Sequence, residues 1–298
     1  MIPFVREFEF AYGRCDRVSG RIRRVIANNP GPFTFTGTAT FIVGEGRVAV
    51  IDPGPDDPAH LQALLAAVRG ERVSHVLVTH THRDHSPLAR PFAQAVGAPV
   101  LAARPPARAT HVSTPVEEGD DDSFFPDVVL SGGERIAGPG WTLEALATPG
   151  HASNHLCFAL AEENALFSGD HVMGWSTTVV APPDGDMDAY LASLRALIDR
   201  RFDILWPTHG PPVTEPAPFL EAYLAHRLAR EAQVLARLRA GDRTIAQMVP
   251  VLYAGVDKRL WPAASLSVLA HLIRLVRLGQ ATADRPPALD ARFTAADS

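Results

Sequence analysis

The sequence predicts an α/β fold over most of its length, followed by a smaller helical module. Short apolar runs alternate with segments of helical periodicity as far as residue 215, whereas a long amphipathic helix opens the remainder. The net charge changes sign between the two parts, from −9 over residues 1–215 to +4 over residues 216–298. The proline-rich segment 207–218 lies at this change and is typical of a boundary. We therefore expect two domains, 1–215 and 216–298.

The first part is predicted to contain mostly short strands. The predicted strands are 18–27, 38–44, 47–51, 75–79, 99–102, 142–148, 155–160, 164–168 and 203–206. The predicted helices are 57–69, 87–96 and 187–199, the first of them with Asp57 as N-cap and Pro58 in its first turn. Residues 104–133 have no regular period and are rich in Pro, Asp and Gly, which predicts a long loop. We interpret its acidic run, 117–122, as solvated surface rather than as a metal site.

The second part has a different pattern. Residues 218–239, 243–254 and 263–278 have helical periods, and 280–294 fits a small ribbon. Helices followed by a ribbon indicate a winged-helix arrangement.

The composition excludes several classes of protein. With 46% hydrophobic and 20% charged residues, the chain is predicted to be globular rather than disordered. Its two cysteines, Cys15 and Cys157, do not make a disulfide framework. The N-terminus has no apolar leader, and no run approaches 18 apolar residues, so we expect a cytoplasmic protein without a membrane span.

The most informative motif is Thr79-His80-Thr81-His82-Arg83-Asp84-His85, directly after the apolar run 75–79. In extended backbone, His80 and His82 point to the same side. Asp84 and His85 follow as the chain turns. Packing gives no reason for such a cluster, which would repel itself if protonated. Four such side chains within six residues suit a divalent metal such as zinc.

Three further candidates follow predicted strands, each beside a turn-forming residue. They are His151 after Pro149-Gly150, Asp170 after Gly169, and His209 before Gly210. Ligands in open α/β sheets bind outside the carboxyl ends of strands, so these side chains are expected to converge with the first cluster. The sequence therefore predicts seven metal ligands in one place.

Taken in order, THTHRDH, TPGHASNH, LFSGDH and PTHG resemble the motifs of the metallo-β-lactamase superfamily over residues 20–215. The resemblance implies an αββα sandwich with a two-metal hydrolytic site. It implies that His80, His82 and His151 hold one metal, that Asp84, His85 and His209 hold the second, and that Asp170 bridges both. Asp52 matches an acidic strand end of the family and would orient a ligand imidazole.

The implied cofactors are two divalent metal ions, for which zinc is the first expectation, with iron or manganese as alternatives. Two metals about 3.5–4 Å apart lower the pKa of a shared water to about 7, and the hydroxide attacks a carbonyl carbon or a phosphorus. Asp84 is the expected proton acceptor or shuttle.

The sequence does not determine the substrate. Cys157 lies within a strand and is interpreted as a core residue, so the chain departs from the cysteine-containing lactamase pattern and β-lactam hydrolysis is a weak alternative. The chain has, in order, the segments 168–179, 188–194, 207–210 and 223–227, a long helix and a winged-helix-like tail. In this order it is similar, over nearly its whole length, to a beta-lactamase-like protein group whose animal members include a mitochondrial single-strand endoribonuclease. Fungal relatives include thioesterases acting on carrier-bound polyketides.

Two classes of hydrolase are therefore predicted equally. Cleavage of single-stranded RNA is favoured by the +4 module and the arginines of helix 218–239, namely Arg227, Arg230, Arg237 and Arg239, which also fit a solvated helix face. It is opposed by the −9 first module and the few aromatic residues. The other class is hydrolysis of a small ester, thioester or lactone, with Trp175 and Trp206 as pocket or core residues.

A non-enzymatic alternative is a DNA-binding metal sensor. Its recognition helix would be 263–278. This helix offers only Ser265, Ser267, His271, Arg274 and Arg277 for contacts with bases. His155 and His226 recur in the related group and are interpreted as structural or substrate contacts. The sequence does not indicate the oligomeric state.

Overall fold

The computed structural model describes residues 2–106, 119 and 121–296. The strands of the first part are β1 (Cys15–Arg17), β2 (Ile22–Ile26), β3 (Ala39–Val43), β4 (Arg47–Ile51), β5 (Arg72–Leu77), β6 (Val100–Ala103), β7 (Val128–Leu130), β8 (Arg135–Gly138), β9 (Trp141–Ala147), β10 (Leu156–Leu160), β11 (Ala165–Gly169) and β12 (Ile204–Pro207). Its helices are α1 (Pro58–Ala67), α2 (Ala89–Val96) and α3 (Met187–Arg200).

The strands form two sheets that pack face to face. One sheet has the order β1-β2-β3-β4-β5-β6-β7, and the other has the order β12-β11-β10-β9-β8. Phe41 and Leu77 of the first sheet share a buried cluster with Phe158 and Phe167 of the second. The neighbouring Ile42 belongs instead to a second buried cluster, because successive side chains of a strand point to opposite faces.

Helices cover the outer face of each sheet. Leu64 of α1 and Phe92 of α2 pack in the cluster that contains Ile42, whereas Leu191 and Leu194 of α3 pack against the second sheet. The four layers are therefore helix, sheet, sheet and helix, which confirms the predicted αββα sandwich.

Parallel pairing brings the important strand ends to one edge. β4 pairs with β5, and β11 pairs with β12, both in parallel. Asp52 follows β4, and residues 79–85 lie just beyond β5, while Asp170 follows β11 and His209 lies just beyond β12. A bridge between Thr38 and His209 joins the two sheets at this edge.

The predicted loop 104–133 is wrong in part, because it contains β7, which pairs with β6 in parallel. This strand has only three residues, of which Val128 and Val129 are exposed, so it has no readable period. Residues 107–118 and 120, which include part of the predicted acidic run, lie outside the described residues. Two flanking residues have backbone hydrogen bonds. The N–H of Asp121 donates to the carbonyl oxygen of Thr81, and the carbonyl oxygen of Gly119 accepts the N–H of Arg83.

The remainder of the chain forms a helical module with a ribbon, as predicted. Its elements are α4 (Pro216–Arg239), α5 (Ile245–Leu252), α6 (Trp261–Arg277), β13 (Ala281–Ala283) and β14 (Phe293–Ala295). Phe219 and Tyr223 of α4 pack in the cluster beneath α3, whereas Val234 and Leu238 belong to the core of the module. Because α4 contributes to both clusters, the division at residue 215 stays a prediction. No helix in the described part of the chain is long and apolar enough to cross a bilayer.

Buried and half-buried ion pairs attach α6 to its neighbours. Nε of Arg274 lies 2.7 Å from Oδ1 of Asp188 at the start of α3, and the same guanidinium pairs with Glu231 of α4. His271 lies 3.3 Å from the other oxygen of Glu231, whose side chain is 12% exposed. Arg277 pairs with Asp186, the N-cap of α3.

Replacing Arg274 with Met is expected to lower the free energy of unfolding by about 1–3 kcal/mol, because Glu231 would keep its buried carboxylate but lose the cation beside it. Urea unfolding measures this change. The matched control is Arg285→Met, which removes an exposed pair with Asp290 and is expected to cost at most about 0.5 kcal/mol. Equal changes in the two variants would contradict the structural role of Arg274.

Candidate active site

Three histidines converge at the edge of the sandwich. Nε2 of His80 lies 2.9 Å from Nδ1 of His82, and Nε2 of His151 lies 3.2 Å from that same Nδ1. All three side chains are buried, and their nitrogens are close enough to hold one ion. His80 and His82 come from the turn after β5, whereas His151 comes from the turn between β9 and β10.

A second group forms around Asp84. Its Oδ2 lies 3.0 Å from Nε2 of His209 and 3.3 Å from Nε2 of His85. These three residues also have the spacing of a metal site and are buried.

Asp170 lies between the two groups. Its Oδ1 is 3.3 Å from Nε2 of His209 and 3.5 Å from Nε2 of His85, while its Oδ2 is 3.9 Å from Nε2 of His151. One carboxylate therefore faces both groups, and the structure brings all seven predicted ligands together.

Backbone and side-chain acceptors orient the imidazoles. Nδ1 of His151 lies 2.8 Å from the carbonyl oxygen of Val179, and Nδ1 of His209 lies 3.2 Å from that of Gly37. Because a carbonyl oxygen only accepts, each Nδ1 carries a proton, and Nε2 is the nitrogen that faces the site.

Asp52 is the most connected of these acceptors. Its Oδ1 accepts the N–H of Thr79, and its Oδ2 accepts the hydroxyl of Thr79 and Nδ1–H of His85 at 2.9 Å. The hydroxyl of Thr79 is thereby free to accept from Nδ1 of His80 at 3.1 Å. Asp52 is fully buried, and its Oδ2 contacts the imidazole of His85.

His155 has a structural position. Its Nδ1 bonds the hydroxyl of Thr148, and its Nε2 accepts the backbone N–H of Asp170 at 3.1 Å. The preceding Gly169 has φ +52°, and a Cβ there would lie 2.5 Å from Nε2 of His155. The glycine therefore lets His155 approach the backbone that carries Asp170.

Replacing Gly169 with Ala is expected to lower the free energy of unfolding by about 1–3 kcal/mol, because the new methyl overlaps His155. Thermal or urea unfolding measures this. Gly46→Ala is the control, since Gly46 has φ +68° but open space around it. It separates backbone strain from the clash, and an equal loss in both variants would exclude the clash.

The buried carboxylates of Asp84 and Asp170 raise the pKa of the histidines beside them. Burial lowers the pKa of His209, but Asp170 and Asp84 more than offset this and raise it to about 10. The same carboxylates raise the pKa of His85 against the effect of burial. Burial and the neighbouring histidines lower the pKa of His80 well below its usual range. The same causes lower the pKa of His82 to about 3.

A cavity opens onto this cluster and is walled by both parts of the chain. Its apolar lining includes Phe33, Met173, Trp175 and Val179, and it continues to α4 and α6. Trp175, stacked on Phe35 at 4.7 Å, lines the cavity, whereas Trp206 is a core residue beside Phe41. Sequence reasoning did not identify Phe33, Met173 or Val179, because nothing in their local sequence distinguishes a lining residue from a core residue.

The other candidates occupy different surroundings. Of the four arginines in 218–239, Arg227 and Arg230 line the cavity, Arg237 pairs with Asp242, and Arg239 is exposed. In α6, His271 is buried, and Arg274 and Arg277 pair with carboxylates within the chain, so these side chains do not form an exposed reading surface.

Comparisons with known proteins match both parts of the chain to known families. The model of the metallo-beta-lactamase superfamily matches residues 33–209, and that of the beta-lactamase associated winged helix domain matches residues 244–285. The chain is 30% identical over 287 residues to lactamase-like protein adaB of Aspergillus niger, which covers 87% of this chain and 84% of that protein. It is 35% identical over 253 residues to the atrochrysone carboxyl ACP thioesterase of Aspergillus chevalieri, which covers 81% of this chain and 76% of that protein.

Among solved structures, a metallo-beta-lactamase family protein from Thermus thermophilus superposes with a TM-score of 0.75 at 24% identity, over 94% of this chain and 100% of that one. The fold and the relatives make this protein a hydrolase. The chain belongs to the metallo-beta-lactamase superfamily and carries the winged helix domain associated with it.

Proposed function

We propose that this protein is a two-metal hydrolase of acyl esters and thioesters. The observation that carries the proposal is the position of Asp170, whose two oxygens face two separate groups of buried ligand-type side chains. Such a pair of groups is the arrangement that a two-metal hydrolytic site needs.

The residues fit metal ions on chemical grounds. Nε2 of His85 and Oδ1 of Asp170 are buried, and their contacts among the described residues, at 3.3–3.5 Å, do not have hydrogen-bond geometry. Buried polar atoms are normally satisfied, and a cation between them would satisfy both. Imidazole nitrogens with carboxylate oxygens suit zinc, and metal analysis distinguishes zinc from iron and manganese, which bind similar donors.

The proposed ligands are those of the two groups. His80, His82 and His151 would hold one ion, Asp84, His85 and His209 the other, and Asp170 both. When bound, the metal ions activate water and polarise the substrate oxygen.

The remaining steps are assigned to side chains of the chain itself. Asp84 is buried, and burial alone would raise its pKa, but His85 and His209 outweigh this and hold the pKa well below its usual range. Its carboxylate is therefore ionised at neutral pH, and we assign to it the transfer of a proton from the attacking water to the leaving group. In a thioester, the carbonyl carbon gains a C–O bond and loses its C–S bond, and the proton held by Asp84 neutralises the thiolate.

The cavity favours an acyl substrate over RNA. Apolar side chains such as Phe33, Met173 and Val179 line much of it, and residues of α4 and α6 form one wall, which suits an acyl chain. A strand of RNA needs an open basic groove with aromatic platforms for the bases. The relative from Aspergillus chevalieri is named as a thioesterase, which supports the same class.

A substrate panel tests this proposal. Metal-replete wild type and Asp84→Asn are assayed with N-acetylcysteamine thioesters, aryl esters, a lactone, a cephalosporin and labelled single-stranded RNA. We expect acyl hydrolysis that is lost in the variant, with intact RNA. Cleavage of RNA or of the cephalosporin that depends on Asp84, without acyl hydrolysis, would overturn the proposal.

A further inference from the structure

The cavity at the proposed metal site has a second polar region. His226, Arg227 and Arg230 of α4 line the same cavity as Asp84 and Asp170. Positions 226, 227 and 230 lie close together on the surface of one helix, because residues three and four apart are neighbours there. This basic region, His226-Arg227-Arg230, is not used by the hydrolytic steps described above.

Arg227 is an unusual arginine because it is only 4% exposed. Its guanidinium donates to the carbonyl oxygen of Thr178 and lies over the rings of Tyr190 and Tyr223, at 5.0 and 5.9 Å. Its Nε has no hydrogen-bond partner, and no carboxylate lies within ion-pair distance among the described residues. A buried charge is normally paired, so an anion is the expected partner.

Arg230 extends this region. It donates to the carbonyl oxygen of Leu252 at 2.6 Å and lies over the ring of Tyr253 at 4.3 Å. It too has no carboxylate partner in the part of the chain that the structure describes. Of the eight other arginines of the same module, five pair with an acidic residue, and Arg239, Arg243 and Arg292 do not pair with one among the described residues; the five are Arg237, Arg259, Arg274, Arg277 and Arg285.

We propose that Arg227 and Arg230 form an oxyanion subsite, and that the protein prefers acyl thioesters that carry an anionic group. This rests on the proposed function and adds the class of substrate. A guanidinium offers several N–H donors in one plane and binds carboxylate or phosphate oxygens by charge-assisted hydrogen bonds. The oxyanion is either a carboxylate of the acyl chain or a phosphate of the thiol carrier.

The histidine of the region supports this assignment. Burial lowers the pKa of His226 to about 4, with further contributions from Arg227 and Arg230. It is therefore neutral at pH 7 and offers hydrogen bonds without a charge. The two arginines are then the positive groups of this region.

The test compares three thioesters of similar acyl length. They are a neutral acyl-N-acetylcysteamine, the same compound with a terminal carboxylate, and the neutral acyl-coenzyme A. Metal-replete wild type, Arg230→Gln and Arg239→Gln are assayed. Arg239 lies on the same helix but is exposed and outside the cavity, so it is the matched control.

We expect Arg230→Gln to lower kcat/KM by about 10- to 100-fold for anionic thioesters and to leave the neutral compound nearly unchanged. A loss confined to the carboxylated acyl chain assigns the subsite to the acyl group. A loss confined to coenzyme A assigns it to the carrier phosphate. An equal loss on all three substrates, or none, would overturn the subsite.

A binding measurement keeps this test separate from the proposed function. Calorimetry with glutarate and with free coenzyme A is carried out on the same proteins. If wild type hydrolyses no thioester, the proposed function fails, and the subsite is still judged by binding. Weaker binding in Arg230→Gln but not in Arg239→Gln supports it, and unchanged binding of both compounds overturns it.

Discussion

Replacing Asp84 with Asn is expected to lower kcat for thioester hydrolysis by about 10²–10⁴-fold, the usual contribution of a positioned acid–base group. Asparagine keeps the shape of the side chain and one oxygen near His209 and His85, but it cannot take a proton. The loss is therefore expected in kcat, with a smaller change in KM. Steady-state kinetics on protein of measured metal content gives both values.

The control for this variant is Asp56→Asn, which removes an exposed carboxylate from the loop before α1. It is expected to leave kcat unchanged. Near-normal kcat in metal-replete Asp84→Asn would refute the role of Asp84 as the proton acceptor.

Removing metal with a chelator is expected to abolish hydrolysis and to destabilise the fold. Without cations, the carboxylates of Asp84 and Asp170 remain buried among histidines that have to be protonated to compensate them. At metal concentrations about 1,000-fold above Kd, binding stabilises the folded state by about 4 kcal/mol. We therefore expect a lower Tm in chelated protein and recovery of both Tm and activity on addition of zinc.

The matched experiment uses His151→Ala, which removes one proposed ligand. Its Tm is expected to respond less to zinc than that of the wild type. A Tm that is independent of metal in the wild type, with full activity in protein shown to be metal-free, would contradict the metal site.

The positions of the candidate site could be predicted because strand ends fix them. His80 and His82 follow a readable apolar strand, and His151, Asp170 and His209 each stand beside a glycine or proline that turns the chain. Parallel pairing of β4 with β5 and of β11 with β12 then brings these ends to one edge. Local sequence is sufficient here, because the turns and the sheet determine where the side chains lie.

The walls of the cavity could not be predicted in the same way. Arg227, Arg230 and Arg237 share one amphipathic helix, and local sequence does not distinguish the buried cation from the surface one. Their surroundings depend on how α4 packs between α3 and the winged helix domain. The same holds for Trp175 and Trp206, of which only Trp175 lines the cavity.

The short strand β7 could not be predicted for a related reason. Its three residues pair with β6, but two of the three side chains are exposed, so no apolar pattern marks them. Pairing partners rather than periodicity determine such a strand.

We propose that the carboxylate of Asp170 would join two metal sites into one hydrolytic centre. The most direct test is to titrate metal-free protein with zinc and to count bound ions by native mass spectrometry while thioester hydrolysis is measured. Two ions per chain are expected, with hydrolysis rising as the second binds, whereas His209→Ala should hold one ion and be inactive. Full hydrolysis with one ion, or by His209→Ala, would contradict the claim.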